Sequence, residues 1–198
     1  MLILVRHGES SLNAEGRLVG RLDPSLTDVG RAQAAAAGAL LGDVHEVRSS
    51  PLARTRETAT LLGVEGVAVA VEDRIIELDY GDYDGLPLAD VDKEAWRKWL
   101  TDASFRPPGG ESLSELRTRV SPVLEELFAV GGEGARNPES NVVLVSHVSP
   151  IKAAIAWALG VDDLVAWRMR LSTGSVSRIA MGPQGPQLLS FNEVPQPG

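Results

Sequence analysis

Two uninterrupted apolar runs constrain this chain most: Leu2-Ile3-Leu4-Val5 near its start and Val142-Val143-Leu144-Val145 late in it. A strand with one wet face alternates apolar and polar residues. A continuous run needs cover on both faces, as in parallel strands packed between helices. Helical periodicity fills the intervals at about 28–41, 52–62, 93–100, 113–128 and 151–159, and weaker strand signals fall at about 46–49 and 67–71. Ser112 with Glu115 three residues on forms a capping box for the helix that follows. Runs at about 175–180 and 187–191 flank Gly182-Pro183-Gln184-Gly185, which reads as the turn of an antiparallel pair. The expected fold is α/β: a three-layer α/β/α sandwich with a mostly parallel central sheet and an antiparallel edge strand. With 198 residues and no internal repeat, it reads as one domain, 1–198, with a small lid or insertion at about 86–108. Gly131 to Ser140 reads as a loop and Pro195 to Gly198 as a loose tail.

The junctions after two of these strands share a punctuation, Ser49-Ser50-Pro51 and Ser149-Pro150. Ser suits an N-cap and Pro the first helical position, so each junction is expected to start a helix at the carboxyl end of a parallel strand. That sheet edge is where open α/β folds bind ligands, and free helix N–H groups there favour anions.

Charge points the same way. The net charge is −8, yet residues 1–60 hold seven cations and seven anions, and all seven cations are Arg. A neutral, arginine-only third of an acidic chain fits a site for a compact anion, since guanidinium grips phosphate in bidentate fashion. The acidic balance argues against a nucleic-acid partner. No apolar stretch approaches the roughly 18 residues of a membrane helix, and Arg6 interrupts the first run too early for a signal peptide, so a cytoplasmic protein with no membrane partner is expected. Absence of cysteine removes disulfides, thiolate metal sites and cysteine nucleophiles.

Three distant segments would then deliver reactive groups to one edge. His7 follows the first strand beside Arg6 and Gly8, Arg54 lies one turn into the second junction's helix, and His147 follows the fourth strand. A neutral imidazole can attack phosphorus while guanidiniums hold the oxygens. Glu77, in Ile75-Ile76-Glu77-Leu78, has apolar neighbours that would raise its pKa and suit it to protonate a leaving oxygen. Each residue also has a plainer reading: a hydrogen-bonded histidine after a strand, a surface arginine paired with Glu57, an acid in a solvated cluster with Asp79, Asp82 and Asp84. Arg56, two residues beyond Arg54, faces elsewhere and reads as structural, His45 reads as solvated, and Trp96 with Trp99 as packing residues.

Taken in order, the blocks resemble one family. Leu4-Val5-Arg6-His7-Gly8-Glu9-Ser10 with Asn13, Gly20-Arg21-Leu22-Asp23 with Leu26-Thr27-Asp28-Val29-Gly30-Arg31-Ala32-Gln33, and Ser50-Pro51-Leu52-Ala53-Arg54 with Thr58-Ala59 open the match. Glu77 to Gly85, Pro108-Gly109-Gly110-Glu111-Ser112 and Val143-Leu144-Val145-Ser146-His147 complete it. The chain is similar to the histidine phosphatases, the phosphoglycerate mutase-like superfamily, over nearly its whole length, and most resembles the short phosphatase-type branch.

The resemblance implies His7 as a nucleophile that becomes phosphohistidine, Arg6, Arg54 and His147 as the phosphate pocket, and Glu77 as proton donor. It implies contact of Asn13 with phosphate or substrate; Gly20 and Arg21 are candidates for substrate binding, with Arg21 facing either the substrate entrance or solvent. No metal and no cofactor are expected. The partner expected is a small phosphate ester, and a homodimer is left open. Two other readings stand beside a phosphomonoesterase. A phosphoglycerate mutase carries a hydroxyl residue before the glycine of the second block, where this chain has Val19. A catalytically silent phosphoester-binding protein would be expected to have lost one of the reactive residues, and all are present.

Overall fold

The computed structural model describes residues 1–129 and 141–195. Six strands make one sheet: β1 (Leu2–Arg6), β2 (Glu46–Ser49), β3 (Val69–Val71), β4 (Val142–Ser146), β5 (Val176–Gly182) and β6 (Gly185–Glu193), ordered β3-β2-β4-β1-β5-β6. The pairs β1/β4, β2/β4 and β2/β3 are parallel, whereas β5 runs antiparallel to both β1 and β6. The antiparallel edge is therefore a hairpin of two strands. The loop expected at Gly131 to Ser140 lies outside the described residues, as does the end of the tail expected from Pro195.

Helices α1 (Ser11–Ala14), α2 (Asp28–Gly38), α3 (Ala53–Leu61), α4 (Lys93–Thr101), α5 (Leu113–Phe128) and α6 (Val148–Leu159) complete the regular elements, with short 3-10 turns between them. Successive side chains of a strand point to opposite faces, and the continuous apolar runs use both. Leu2, Leu4, Val142 and Leu144 pack with Leu116, Val120, Leu124, Ile151 and Ile155 of α5 and α6. Ile3, Val5, Val143 and Val145 pack with Ala37, Ala59 and Leu62 on the side of α2 and α3. Two apolar layers on one sheet make the three-layer α/β/α sandwich expected from the runs.

Ser112 caps α5 as its sequence predicts, its Oγ accepting from Glu115 N–H at 3.2 Å while Glu115 accepts from Ser112 N–H at 2.9 Å. The other two caps differ from expectation. Helix α3 starts after Leu52, not at Ser50, whose Oγ meets His147 Nε2 at 2.7 Å. Helix α6 starts at Val148 with His147 as the extended N-cap, so Ser149 and Pro150 already lie inside its first turn. Pro is tolerated there because the first-turn N–H groups have no intrahelical partner.

The segment at 86–108 carries a 3-10 turn and α4, whose Trp99 is fully buried. Trp99 meets Trp96, Trp167, Tyr80, Tyr83 and Phe105 edge-on or tilted at 5.4–6.3 Å. Trp99 thus packs α4 onto the body of the fold, the packing role expected of it.

Candidate active site

Parallel pairing brings the carboxyl ends of β1, β2 and β4 level: Arg6 pairs with Ser146, and Ser49 with Val145. The chain leaves the sheet at three neighbouring points, with His7 N–H donating to Ser146 C=O and Ser50 N–H to Val145 C=O, both at 3.0 Å. His7, Arg54, Glu77 and His147 all gather below 3% exposure at this edge.

The ring nitrogens of His7 have distinct partners. Nδ1 lies 2.6 Å from Gly8 C=O, which can only accept, so Nδ1 carries the proton. Nε2 then presents its lone pair, toward which Arg54 Nε–H points at 3.3 Å. Burial and the charges of Arg54 and Arg6 push the His7 pKa well below 6.5, so the ring stays neutral. His147 stands 5.1 Å from His7 between ring centroids, and burial with the same cations holds it neutral too. Its Nε2 meets Ser50 Oγ, while its buried Nδ1 has no partner among the described residues.

Arg54 is wholly buried, which lowers its pKa, and its Nη1 and Nη2 donate to Leu22 C=O at 2.6 Å and Gly20 C=O at 2.8 Å. Those carbonyls belong to a loop whose three successive N–H groups, from Gly20, Arg21 and Leu22, all donate to the Asp84 carboxylate at 2.7–2.8 Å. Arg6 donates to Leu171 C=O at 2.5 Å, and burial lowers its pKa to about 10, so it remains a cation at neutral pH. Asn13 is tied to Ser10, its Oδ1 accepting from the Ser10 N–H and Oγ, which leaves its amide NH2 as the donating end. Arg21 reaches Glu111 at 3.7 Å.

Glu77 receives Leu78 N–H at 2.7 Å and Ser149 N–H at 3.2 Å. Both favour its charged form, yet desolvation outweighs them and its pKa is raised. Ser149 can supply that N–H because it sits in the first turn of α6. Arg119 braces the segment from below, donating to Glu77 C=O at 3.1 Å and to Glu111 at 2.7 and 2.9 Å.

Tight backbone contact holds the loop that follows His7. A Cβ on Gly8 would lie 2.1 Å from Gly30 C=O, and one on Gly30 would lie 2.0 Å from Glu9 C=O, so only glycine fits at either position. Gly8 N–H donates to Thr58 Oγ1 at 3.1 Å.

The structure therefore brings Arg6, His7, Arg54, Glu77 and His147 together and sets Gly20 beside Arg54, with Asn13 and Arg21 on the loops that flank them. Sequence reasoning missed Ser50, Thr58, Asp84, Arg119 and Ser149 as supporting residues. Ser50, Thr58 and Asp84 lie inside the quoted blocks, but nothing local says which distant group each would meet. Asp79 turns its carboxylate to Gly81 N–H and Asp82 is exposed, so neither competes with Glu77. Among the described residues, no group of three or more His, Asp or Glu is arranged to hold a metal ion. No helix among them is long and apolar enough to cross a membrane.

The profile of the histidine phosphatase superfamily (branch 1) matches residues 2–194. A bifunctional protein of Mycobacterium tuberculosis is 39% identical over 183 residues, which cover 89% of this chain but 49% of that protein, so the chain spans about half the length of that relative. A glucosyl-3-phosphoglycerate phosphatase of M. tuberculosis is 39% identical over 184 residues, covering 89% of this chain and 82% of the relative. The structure of a mycobacterial glucosyl-3-phosphoglycerate phosphatase complexed with VO3 superposes with a TM-score of 0.85, at 33% identity, covering 97% of this chain and 98% of that one. With the family profile spanning nearly the whole chain and the sheet edge assembled as described, this chain belongs to the histidine phosphatase superfamily, branch 1.

Proposed function

We propose that the protein is a phosphatase of small phosphomonoesters that works through a phosphohistidine at His7. The observation that carries the reading is the His7 ring itself: neutral, with its proton held on Nδ1 by Gly8 and its Nε2 lone pair directed at a guanidinium. A bond of 3.3 Å to Arg54 is weak enough for a phosphoryl group to displace, whereupon the same Nε–H turns to a phosphoryl oxygen.

In the first step Nε2 forms a bond to phosphorus as the ester P–O bond breaks, and Glu77 gives its proton to the departing alkoxide. In the second, Glu77, now a carboxylate, takes a proton from water as that water attacks phosphorus. The P–N bond breaks, phosphate leaves and His7 is restored. Arg6, Arg54, Asn13 and, in the tautomer whose Nε2 accepts from Ser50, the Nδ1–H of His147, unpartnered among the described residues, supply donors and charge to the equatorial oxygens, worth the most in a site closed to water. Gly20 and Arg21 flank the side where the alcohol portion lies. The relatives named for glucosyl-3-phosphoglycerate support a small ester as substrate.

Incubation with a 32P-labelled ester followed by quenching should trap an acid-labile, base-stable phosphoprotein in the wild type and none in His7→Ala. Label retained by His7→Ala would place the nucleophile elsewhere. Following phosphoglycerate for both phosphate release and isomerisation separates hydrolysis from phosphoryl return to the substrate.

A further inference from the structure

Lys152 is a cation that the reading above leaves without a task. It lies on α6 one turn beyond Ser149, on the helix face that carries the Ser149 N–H to Glu77 and the Ser149 Oγ to Tyr80 hydroxyl at 3.3 Å. Half-buried, its ammonium has no hydrogen bond or ion pair among the described residues, whereas nearly every other partly buried cation of the chain is held by an acid or a carbonyl. The charges that act on it are those of Glu77 and Arg6, both within the site, and burial lowers its pKa.

Charge counting sharpens the point. Arg54 has Asp23 at 3.5 Å, and Glu77 must be protonated to act as an acid. Arg6 and Lys152 then have no carboxylate paired with them among the described residues. Desolvating an unpaired ammonium is costly, and an anionic group on the ligand would recover that cost.

We propose that Lys152 is a specificity-determining residue that binds a second anionic group of the substrate, a carboxylate or a further phosphate a few bonds from the phosphoryl group. The assignment rests on the phosphatase reading for the place of the phosphoryl group, and its test does not require turnover. Three non-hydrolysable probes, methylphosphonate, phosphonoacetate and methylenediphosphonate, share one phosphonate and differ in the second group. Their dissociation constants are measured by calorimetry on the wild type, Lys152→Met, Lys152→Gln and Lys152→Arg.

The wild type should bind phosphonoacetate or methylenediphosphonate about 10- to 100-fold tighter than methylphosphonate, the range expected of one charge-assisted contact, and whichever is tighter names the second group. Lys152→Met and Lys152→Gln should each erase that preference, and Lys152→Arg should retain part of it. No preference in the wild type, or an equal weakening of all three probes in the neutral variants, overturns the proposal. A protein that shows the preference yet releases phosphate from no ester fails as a phosphatase while the Lys152 assignment stands.

Discussion

Burial acts with opposite sign on the two kinds of titratable group in the site. It keeps His7 and His147 uncharged by driving their pKa well below 6.5, and it favours the protonated form of Glu77 by raising its pKa above 4.5. The signs carry through to stability. Below pH 6.5 the unfolded chain protonates histidines that the folded chain holds neutral, so each costs up to about 1.4 kcal/mol per pH unit as pH falls. Glu77 works the other way, since the folded state retains a proton that the unfolded state loses above pH 4.5, and stability from this group grows as pH falls toward that value. Two histidines oppose one carboxyl, so the net effect between pH 6.5 and 5 is a loss. His147→Gln should lessen that loss by up to about 1.4 kcal/mol per pH unit, checked by urea denaturation at pH 7 and pH 5.5; an unchanged pH dependence would show that His147 ionises normally. The acid role of Glu77 has its own test. Glu77→Gln should slow alkyl phosphates about 10²–10⁴-fold and aryl phosphates far less, because a phenolate leaves with little proton help. Equal losses on both ester types would remove Glu77 from that role.

Between elements, the site depends on how loops are tied to the strand ends. Arg54 is held by the carbonyls of Gly20 and Leu22, and that loop is held in turn by Asp84 through three N–H groups. Asp84 therefore positions a guanidinium it does not touch. Asp84→Ala should cost about 1–3 kcal/mol of stability by stranding those donors, and about 10²-fold in kcat/KM by letting Arg54 shift. Steady-state kinetics beside chemical denaturation checks both, and unchanged kinetics in a destabilised variant would show that Arg54 holds its place without the loop. The same scale explains the caps that the serine and proline signals misplaced. Ser50 and Ser149 both lie near helix starts, yet neither is the N-cap: Ser50 precedes α3 with its hydroxyl on His147, and Ser149 lies inside the first turn of α6 with its N–H on Glu77. Local capping competes with long-range partners, and here the latter win.

Over the whole molecule, the −8 charge lies beyond residue 60 while the arginines of the site come from the neutral first third. A long polyanion would have to lie across acidic surface, whereas a small ester enters the arginine pocket alone. Small phosphate esters should accordingly show higher kcat/KM than a phosphoprotein or an oligonucleotide end. Any turnover of those polyanions should rise with salt as the repulsion is screened over about 8–10 Å. An oligonucleotide end cleaved faster than every small ester would contradict the charge argument. By itself the sequence determined the layers and picked out the residues that the sheet edge gathers. Continuous apolar runs admit only strands covered on both faces, and His7, Arg54 and His147 follow strands whose parallel pairing levels their carboxyl ends. Tertiary structure alone decided the tautomer of His7, the bond from Ser50 to a histidine 97 residues away, the brace from Asp84 and the unpaired state of Lys152. Each depends on which side chains meet across the fold, and no periodicity or local spacing encodes a pairing between residues so far apart along the chain.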